Sequence, residues 1–246
     1  ILYLPYNNIN KTRILLEKNK KRISCIFFEP IQGCLPSADG KEYIKFLNRY
    51  CKKNNILLML DEIITGVRIN CSSIQRIYKL NTDISTFGKV AGGGMPIGII
   101  GISKKVEKKL NSQSQKVFFG GTFSGNSLSM YVGNNTLQHL MKNKKKIFFK
   151  INSNSNFFVK NLNKEILKNN IKARVTNFFS VARIIFSEKN PKDRLQRDFF
   201  EKKTNSNRVK FIKFLKNNNI VFPNNGIIFI SYAIEKKHLK FIIKKI

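Results

Sequence analysis

The residues best suited to chemistry in this chain are a lysine and a carboxylate, each delivered by a short apolar run. Lys89 stands in Ser85-Thr86-Phe87-Gly88-Lys89-Val90-Ala91-Gly92-Gly93-Gly94-Met95-Pro96-Ile97-Gly98. Asp61 follows Leu57-Leu58-Met59-Leu60 and opens Asp61-Glu62-Ile63-Ile64-Thr65-Gly66. A lysine amine forms an imine with an aldehyde cofactor, and a carboxylate held out of water keeps that cofactor's ring nitrogen protonated. Together the two roles define pyridoxal-phosphate chemistry. Singly, each residue has an ordinary use, as a surface charge after a strand or a turn residue at a strand end.

The elements that must position this pair are readable from hydrophobic periodicity. Residues 24–28 form a short apolar run ended by Glu29-Pro30, read as a buried strand. Ser37 or Asp39 is placed to cap the next helix, in which Tyr43, Ile44, Leu47, Tyr50 and Cys51 recur on one face. The continuous run 56–60 predicts a parallel strand covered on both faces. A short helix over 74–80, strands over 84–87 and 97–103 and a helical turn or two over 104–110 follow. Alternating strands and helices predict an α/β sheet with right-handed crossovers. In such sheets ligands bind beyond the carboxyl ends of the strands. Asp61 and Lys89 would then project from the same sheet edge.

Residues 118–126 read as a glycine loop, Phe118-Phe119-Gly120-Gly121-Thr122-Phe123-Ser124-Gly125-Asn126, before a helix over 127–141. Its hydroxyls and free backbone N–H groups suit an anion such as a phosphate. From Lys142 the character shifts, and the charge run 142–146 reads as a solvated helix end. Strand-like segments at 178–186 and 227–233 and helices at 209–218 and 235–245 predict a smaller α+β domain. The expected division is 1–141 and 142–246, with the boundary near Lys142–Lys150. No internal repeat is present.

The chain has 246 residues and 42% hydrophobic content, enough for a core and against global disorder. Lys plus Arg number 46 against 14 Asp plus Glu, a formal charge of +32. Such a charge can mean nucleic-acid binding. Here the basic residues are spread along the chain, and Lys and Asn rise together with Ile and Phe, as at 152–156 and 168–170. That pattern is compositional drift, so no specific nucleic-acid partner is expected. Cys25, Cys34, Cys51 and Cys71 show no metal-type spacing and read as reduced structural thiols in a cytoplasmic protein. His139 and His238 are assigned no role, and no metal site is expected. No run approaches a membrane span, and no signal peptide is visible.

The ordered motifs Asp61–Gly66, Phe87-Gly88-Lys89 and Gly92–Gly98 resemble those of the class III aminotransferases. Glu29-Pro30-Ile31-Gln32-Gly33, Gly121–Asn126 and Tyr6-Asn7-Asn8 fit the same family in the same order. The resemblance leans toward the branch containing glutamate-1-semialdehyde aminomutase. It is sharp from Tyr6 to about Leu140 and diffuse beyond. It implies a fold-type I pyridoxal-phosphate transferase: part of a large mixed-sheet α/β domain, a small α+β C-terminal domain and a homodimer. Residue by residue, Lys89 matches the Schiff-base lysine that also shuttles a proton. Asp61 matches the partner of the pyridinium nitrogen, and Ile63 the apolar residue against one ring face. Thr122 matches a residue that reaches the phosphate across the dimer interface. Glu29 and Gln32 match a segment near the site whose roles vary in the family.

The family chain is longer at its N-terminal end, and the first residue here is Ile1, so the chain is expected to be a C-terminal portion. The part not represented supplies the main phosphate loop and the ring-stacking aromatic. Where the aminomutase has a glutamate near its end, Pro223-Asn224-Asn225-Gly226-Ile227 places a glycine. The expected activity is transfer of an amino group from a small-molecule donor to a carbonyl acceptor through Lys89. Alternatives are intramolecular 2,1-aminomutase action and a truncated, non-catalytic remnant of the fold.

Overall fold

The computed structural model describes residues 1–112, 117–118 and 120–246, so Phe119 of the expected glycine loop lies outside the described residues. The chain divides into two compact units. The first comprises Ile1–Pro30 with Gly40–Lys144, and the second Ile31–Asp39 with Lys145–Ile246.

The first unit is built on β1 (Cys25–Phe28), β2 (Leu57–Asp61), β3 (Ile84–Gly88) and β4 (Gly98–Ile102), in the order β1-β2-β3-β4. β1, β2 and β3 run parallel, and β4 is antiparallel to β3. Helix α1 (Ile9–Asn19), which has no counterpart in the periodicity reading, starts at Asn8, whose side chain accepts from Lys11 N. Helix α2 (Lys41–Asn54) buries Tyr43, Ile44, Phe46, Leu47, Tyr50 and Cys51, the face its spacing predicts. Its N-cap is Gly40, which makes no side-chain cap bond, and not Ser37 or Asp39. Ser37 Oγ instead accepts from Asp39 N and turns the chain before the helix begins. Helix α3 is short (Ile74–Ile77), and α4 (Lys104–Asn111) and α5 (Ser127–Lys142) complete the unit.

The run 56–60 is buried on one face only, a correction to the sequence expectation. Leu58 and Leu60 join the core with Leu16, Ile26, Leu47 and Cys51, while Leu57 and Met59 are half-buried. In register with Met59 stand Phe27, Ile84 and Ile102. Phe27 is 58% exposed and Ile102 43% exposed, so one apolar sheet face is incompletely covered. Cys25 is likewise exposed, not a buried structural thiol, because it alternates onto this face. Cys51 is buried, which pushes its thiol up to about 12 and leaves it unreactive.

The second unit has helix α6 (Lys144–Lys168, whose first residue belongs to the first unit) and an antiparallel sheet β5-β6-β7. The strands are β5 (Arg174–Phe178), β6 (Val181–Ile185) and β7 (Ile227–Phe229), with helices α7 (Arg194–Lys202), α8 (Asn205–Asn217) and α9 (Lys236–Lys245). The single strand expected over 178–186 is a hairpin's second arm. Phe179 takes φ 50 in the turn that joins β5 to β6. The charge run at 142–146 is a solvated helix end as expected: Lys142 closes α5, and Lys144, Lys145 and Lys146 are exposed at the start of α6.

The polar stretch 152–156, read as compositional drift, includes working residues of α6. Asn154 is 4% exposed and donates to Ile234 O at 2.8 Å, and Ser155 is fully buried and donates to Phe179 O at 2.6 Å. Asn163 brackets the edge strand β5, accepting from Val175 N and donating to Val175 O, both at 2.8 Å. Asn154 and Ser155 are themselves buried, so truncating either loses a bond made away from water, although Phe179 O keeps a second donor in Asn177 Nδ2 at 3.1 Å. Asn154→Ala and Ser155→Ala should each therefore lower unfolding free energy by about 1–3 kcal/mol, measured by urea melts. An exposed polar change on the same helix, Lys160→Gln, should shift it by less than about 0.5 kcal/mol.

Candidate functional site

Two carboxylates end β2, and the fold gives them different work. Asp61 is the last residue of β2, paired in register with Thr86 of β3, and is half-buried. Its Oδ1 accepts from Ile63 N at 2.9 Å, a local turn that fixes the carboxylate and orients Ile63. Glu62 points the other way and is fully buried. Its carboxylate accepts from Thr65 Oγ1 at 3.1 Å, Ile74 N at 2.7 Å and Gln75 N at 3.2 Å. It thus folds the connection from β2 to α3 back on itself. The sequence reading assigned Glu62 nothing; its signal was the Glu-x-x-Thr spacing beside an aspartate.

Burial pushes the Glu62 carboxyl above its ordinary value; the donors from Ile74, Gln75 and Thr65 oppose this, and Asp61 adds to it. The folded chain therefore keeps this proton to higher pH than the unfolded chain. The stability gained is complete below the ordinary value of 4.5 and is lost as pH rises through the raised folded value. The melting midpoint of the chain should fall relative to Glu62→Gln as pH climbs above 4.5, then level off. Thermal melts at stepped pH read this; a difference that grows in the wild type's favour with pH would show the site holding an ionised carboxylate.

Lys89 follows β3 directly and begins a 3-10 turn, Lys89–Gly92. Its φ of 46 lies in the left-handed region, where a long side chain is strained by about 1–3 kcal/mol. The surroundings hold it there. Gly88 pairs with Gly98 of β4, and a Cβ at Gly88 would sit 3.1 Å from Ile97 O and 3.7 Å from Ile63 Cγ2. Gly133 of α5 lets that helix approach until an added Cβ would lie 2.9 Å from Ala91 O, so α5 is packed on the lysine's turn. The Lys89 side chain is exposed.

The structure thus brings Asp61, Ile63 and Lys89 to the carboxyl ends of adjacent parallel strands. Ile63 lies beside the bare backbone of Gly88. These residues fit the ring side of a pyridoxal cofactor: a carboxylate for a ring N–H, an apolar wall and an amine. Thr122 is exposed in the loop before α5, whose first turn is capped by Asn126 accepting from Ser129 N at 3.0 Å. The loop leads into α5, which packs on the lysine's turn. Among the described residues, no cluster of three His, Cys, Asp or Glu could hold a metal, and no helix is long and apolar enough to cross a membrane.

The fold is shared with transaminases of known structure. An omega-transaminase from Sphaerobacter thermophilus superposes with a TM-score of 0.88 at 18% identity, covering 98% of this chain and 55% of that one. A glutamate-1-semialdehyde-aminomutase from Pseudomonas aeruginosa PAO1 gives 0.84 at 15% identity, covering 98% and 54%. A transaminase with PLP bound gives 0.80 at 18% identity, covering 98% and 55%. The sequence model for aminotransferase class-III matches residues 5–245, and the chain belongs to that family, whose cofactor is pyridoxal phosphate. Glutamate-1-semialdehyde 2,1-aminomutase from Methanococcus maripaludis is 33% identical over 231 residues, 91% of this chain and 51% of that protein. The chain spans about half the length of the curated relatives it matches.

Proposed function

We propose that this chain is the cofactor-lysine half of a pyridoxal-phosphate-dependent aminotransferase. The observation that carries the reading is the placement of Asp61 and Lys89 at the ends of neighbouring parallel strands, with Ile63 against Gly88 between them. When bound, pyridoxal phosphate supplies an electron-withdrawing ring that accepts negative charge from the substrate carbon. Lys89 Nζ holds the cofactor's aldehyde carbon and, once freed, moves the proton at the substrate carbon. Asp61, whose Oδ1 accepts from Ile63 N, would keep the ring nitrogen protonated. Ile63 walls one ring face. Thr122 serves the phosphate from a second subunit, which makes the working form a homodimer. In this reading the first unit is part of the large cofactor domain and the second is the small C-terminal domain. The substrates are a small-molecule amino donor and a carbonyl acceptor, and the compartment is cytoplasmic.

Intramolecular aminomutase action is the second reading, supported by the names of relatives at 32–35% identity. Against it stands Gly226. Its φ is 75, its O accepts from Ile184 N at 3.2 Å, and a Cβ there would lie 3.1 Å from Ile184 O. A glutamate is sterically disfavoured where the family resemblance would put one. A single labelled substrate decides between the two: isomerisation with no added acceptor supports the aminomutase, and dependence on an acceptor supports the transaminase.

The reading as a whole is tested by adding pyridoxal phosphate to the chain, alone and together with the upstream half of a relative, then borohydride and peptide mapping. Reduced cofactor on the peptide containing Lys89 is expected. Label spread over the many surface lysines without preference for Lys89 would end the proposal.

A further inference from the structure

The nine residues Ile31–Asp39 connect β1 to α2, both in the first unit, yet pack with the second. β1 runs parallel to β2 and β3, so this loop leaves the same sheet edge as Asp61 and Lys89, the edge where ligands bind in such sheets. Its two ends are fastened by one side chain of the first unit. Tyr6 Oη donates to Pro30 O at 2.9 Å and lies where a Cβ on Gly40 would come within 2.5 Å of it. Its middle is a turn closed by Leu35 N on Gln32 O at 2.9 Å.

What holds the middle is a buried charge cluster in the second unit. Arg197 Nη1 donates to the Cys34 carbonyl, and its other nitrogens donate to Asp198 Oδ1. Arg197 Nε also lies 3.6 Å from Glu201 Oε2, which Arg183 Nη2 reaches at 2.9 Å. Glu201 Oε1 in turn accepts from Phe186 N. Arg183, Arg197 and Glu201 are 4, 6 and 8% exposed. Burying such a cluster is costly and seldom adds stability over apolar packing. Its geometric product here is a guanidinium aimed at one loop carbonyl, with its other donors locked by two carboxylates.

We infer that Arg197, backed by Glu201 and Asp198, is a positioning residue for the Gln32–Leu35 turn. The inference does not rest on the proposed function. The Arg–carbonyl anchor itself is independent of any cofactor. A lysine could keep the charge beside Glu201 but not the planar fork that spans carboxylate and carbonyl together.

Cys34 is a reporter built into the turn. Iodoacetamide labelling of the native chain, read peptide by peptide, gives its rate, with buried Cys51 reporting unfolding of the first unit. Arg197→Ala should raise the Cys34 rate about tenfold, the effect of losing one charge-assisted bond that holds a closed loop, with Cys51 unchanged. Arg197→Lys should raise it as well and is read if the alanine variant does not fold. Thr204→Val removes a different bond of the same unit, Thr204 Oγ1 to Phe186 O at 2.7 Å, and should leave Cys34 at the wild-type rate. A folded Arg197 variant with unchanged Cys34 labelling overturns the inference, and so does Thr204→Val labelling as fast as Arg197→Ala. The expected labelling pattern without any cofactor uptake would instead remove the proposed function and leave the anchor standing.

Discussion

Lys89→Ala is expected to abolish borohydride-fixed cofactor and, in an assembly that turns over, to lower the rate by at least about 10³-fold, since both covalent attachment and proton transfer are lost. The physical ground is that, in the proposed reading, the attaching amine and the proton-moving amine are one group. In that reading the Nζ group would act from the end of β3, its approach set by the left-handed backbone at Lys89 and by the glycines that let Ile97 and α5 close around the turn. The same substitution exchanges a long side chain for a short one at a strained φ, so folding should change little. Mass spectrometry of the reduced, digested chain and a thermal melt check the two halves. Cofactor still fixed to Lys105 or Lys104 in the variant, at wild-type yield, would mean that Lys89 is an ordinary surface lysine.

Asp61→Asn is the second large effect, and it separates charge from shape. An asparagine Oδ1 can still accept from Ile63 N, so the turn that seats Ile63 survives and stability should move by less than about 0.5 kcal/mol. The negative charge that keeps a ring nitrogen protonated is gone, and a loss of about 10²–10³ in rate is expected, the scale of removing one preorganised electrostatic group. The visible absorption of bound cofactor should shift with it. Asp61→Ala would blur the result by removing the Ile63 bond too. If Asp61→Asn retains full activity and an unchanged spectrum, the carboxylate is a turn residue and the pairing with Lys89 carries no chemistry.

The legible part of this protein followed from local rules. Strand β2 could be read because an unbroken apolar run between turn residues has few alternatives, and α2 because its apolar residues recur at helical spacing. The illegible elements were those whose signal is not periodic apolarity. Helix α6 carries Lys, Asn and Ser at positions that look like drift, yet Asn154 and Ser155 are buried because carbonyls of Ile234 and Phe179 lie over them. The β5–β6 hairpin was read as one strand because its turn uses Phe179 and Ser180 in place of the usual Gly or Asn. Helix α7 is strongly charged, and it is the ion pairs of Arg197 and Glu201 that bury it.

The candidate site divides in the same way. Residue order by itself determined the chemistry on offer: a lysine, an aspartate and an isoleucine in motifs whose apolar runs can form only strands of one α/β sheet. It also determined family membership, because turn glycines and charged residues at fixed spacing are local properties. Tertiary structure alone decided which of two adjacent carboxylates is buried, Glu62 and not Asp61, since that depends on where the Ile74 and Gln75 amides fold back. It alone decided that the loop after β1 is gripped in the middle by Arg197, 163 residues further along the chain. Contacts at that separation leave no periodic trace in a sequence; they exist only once the backbone has brought their two ends together.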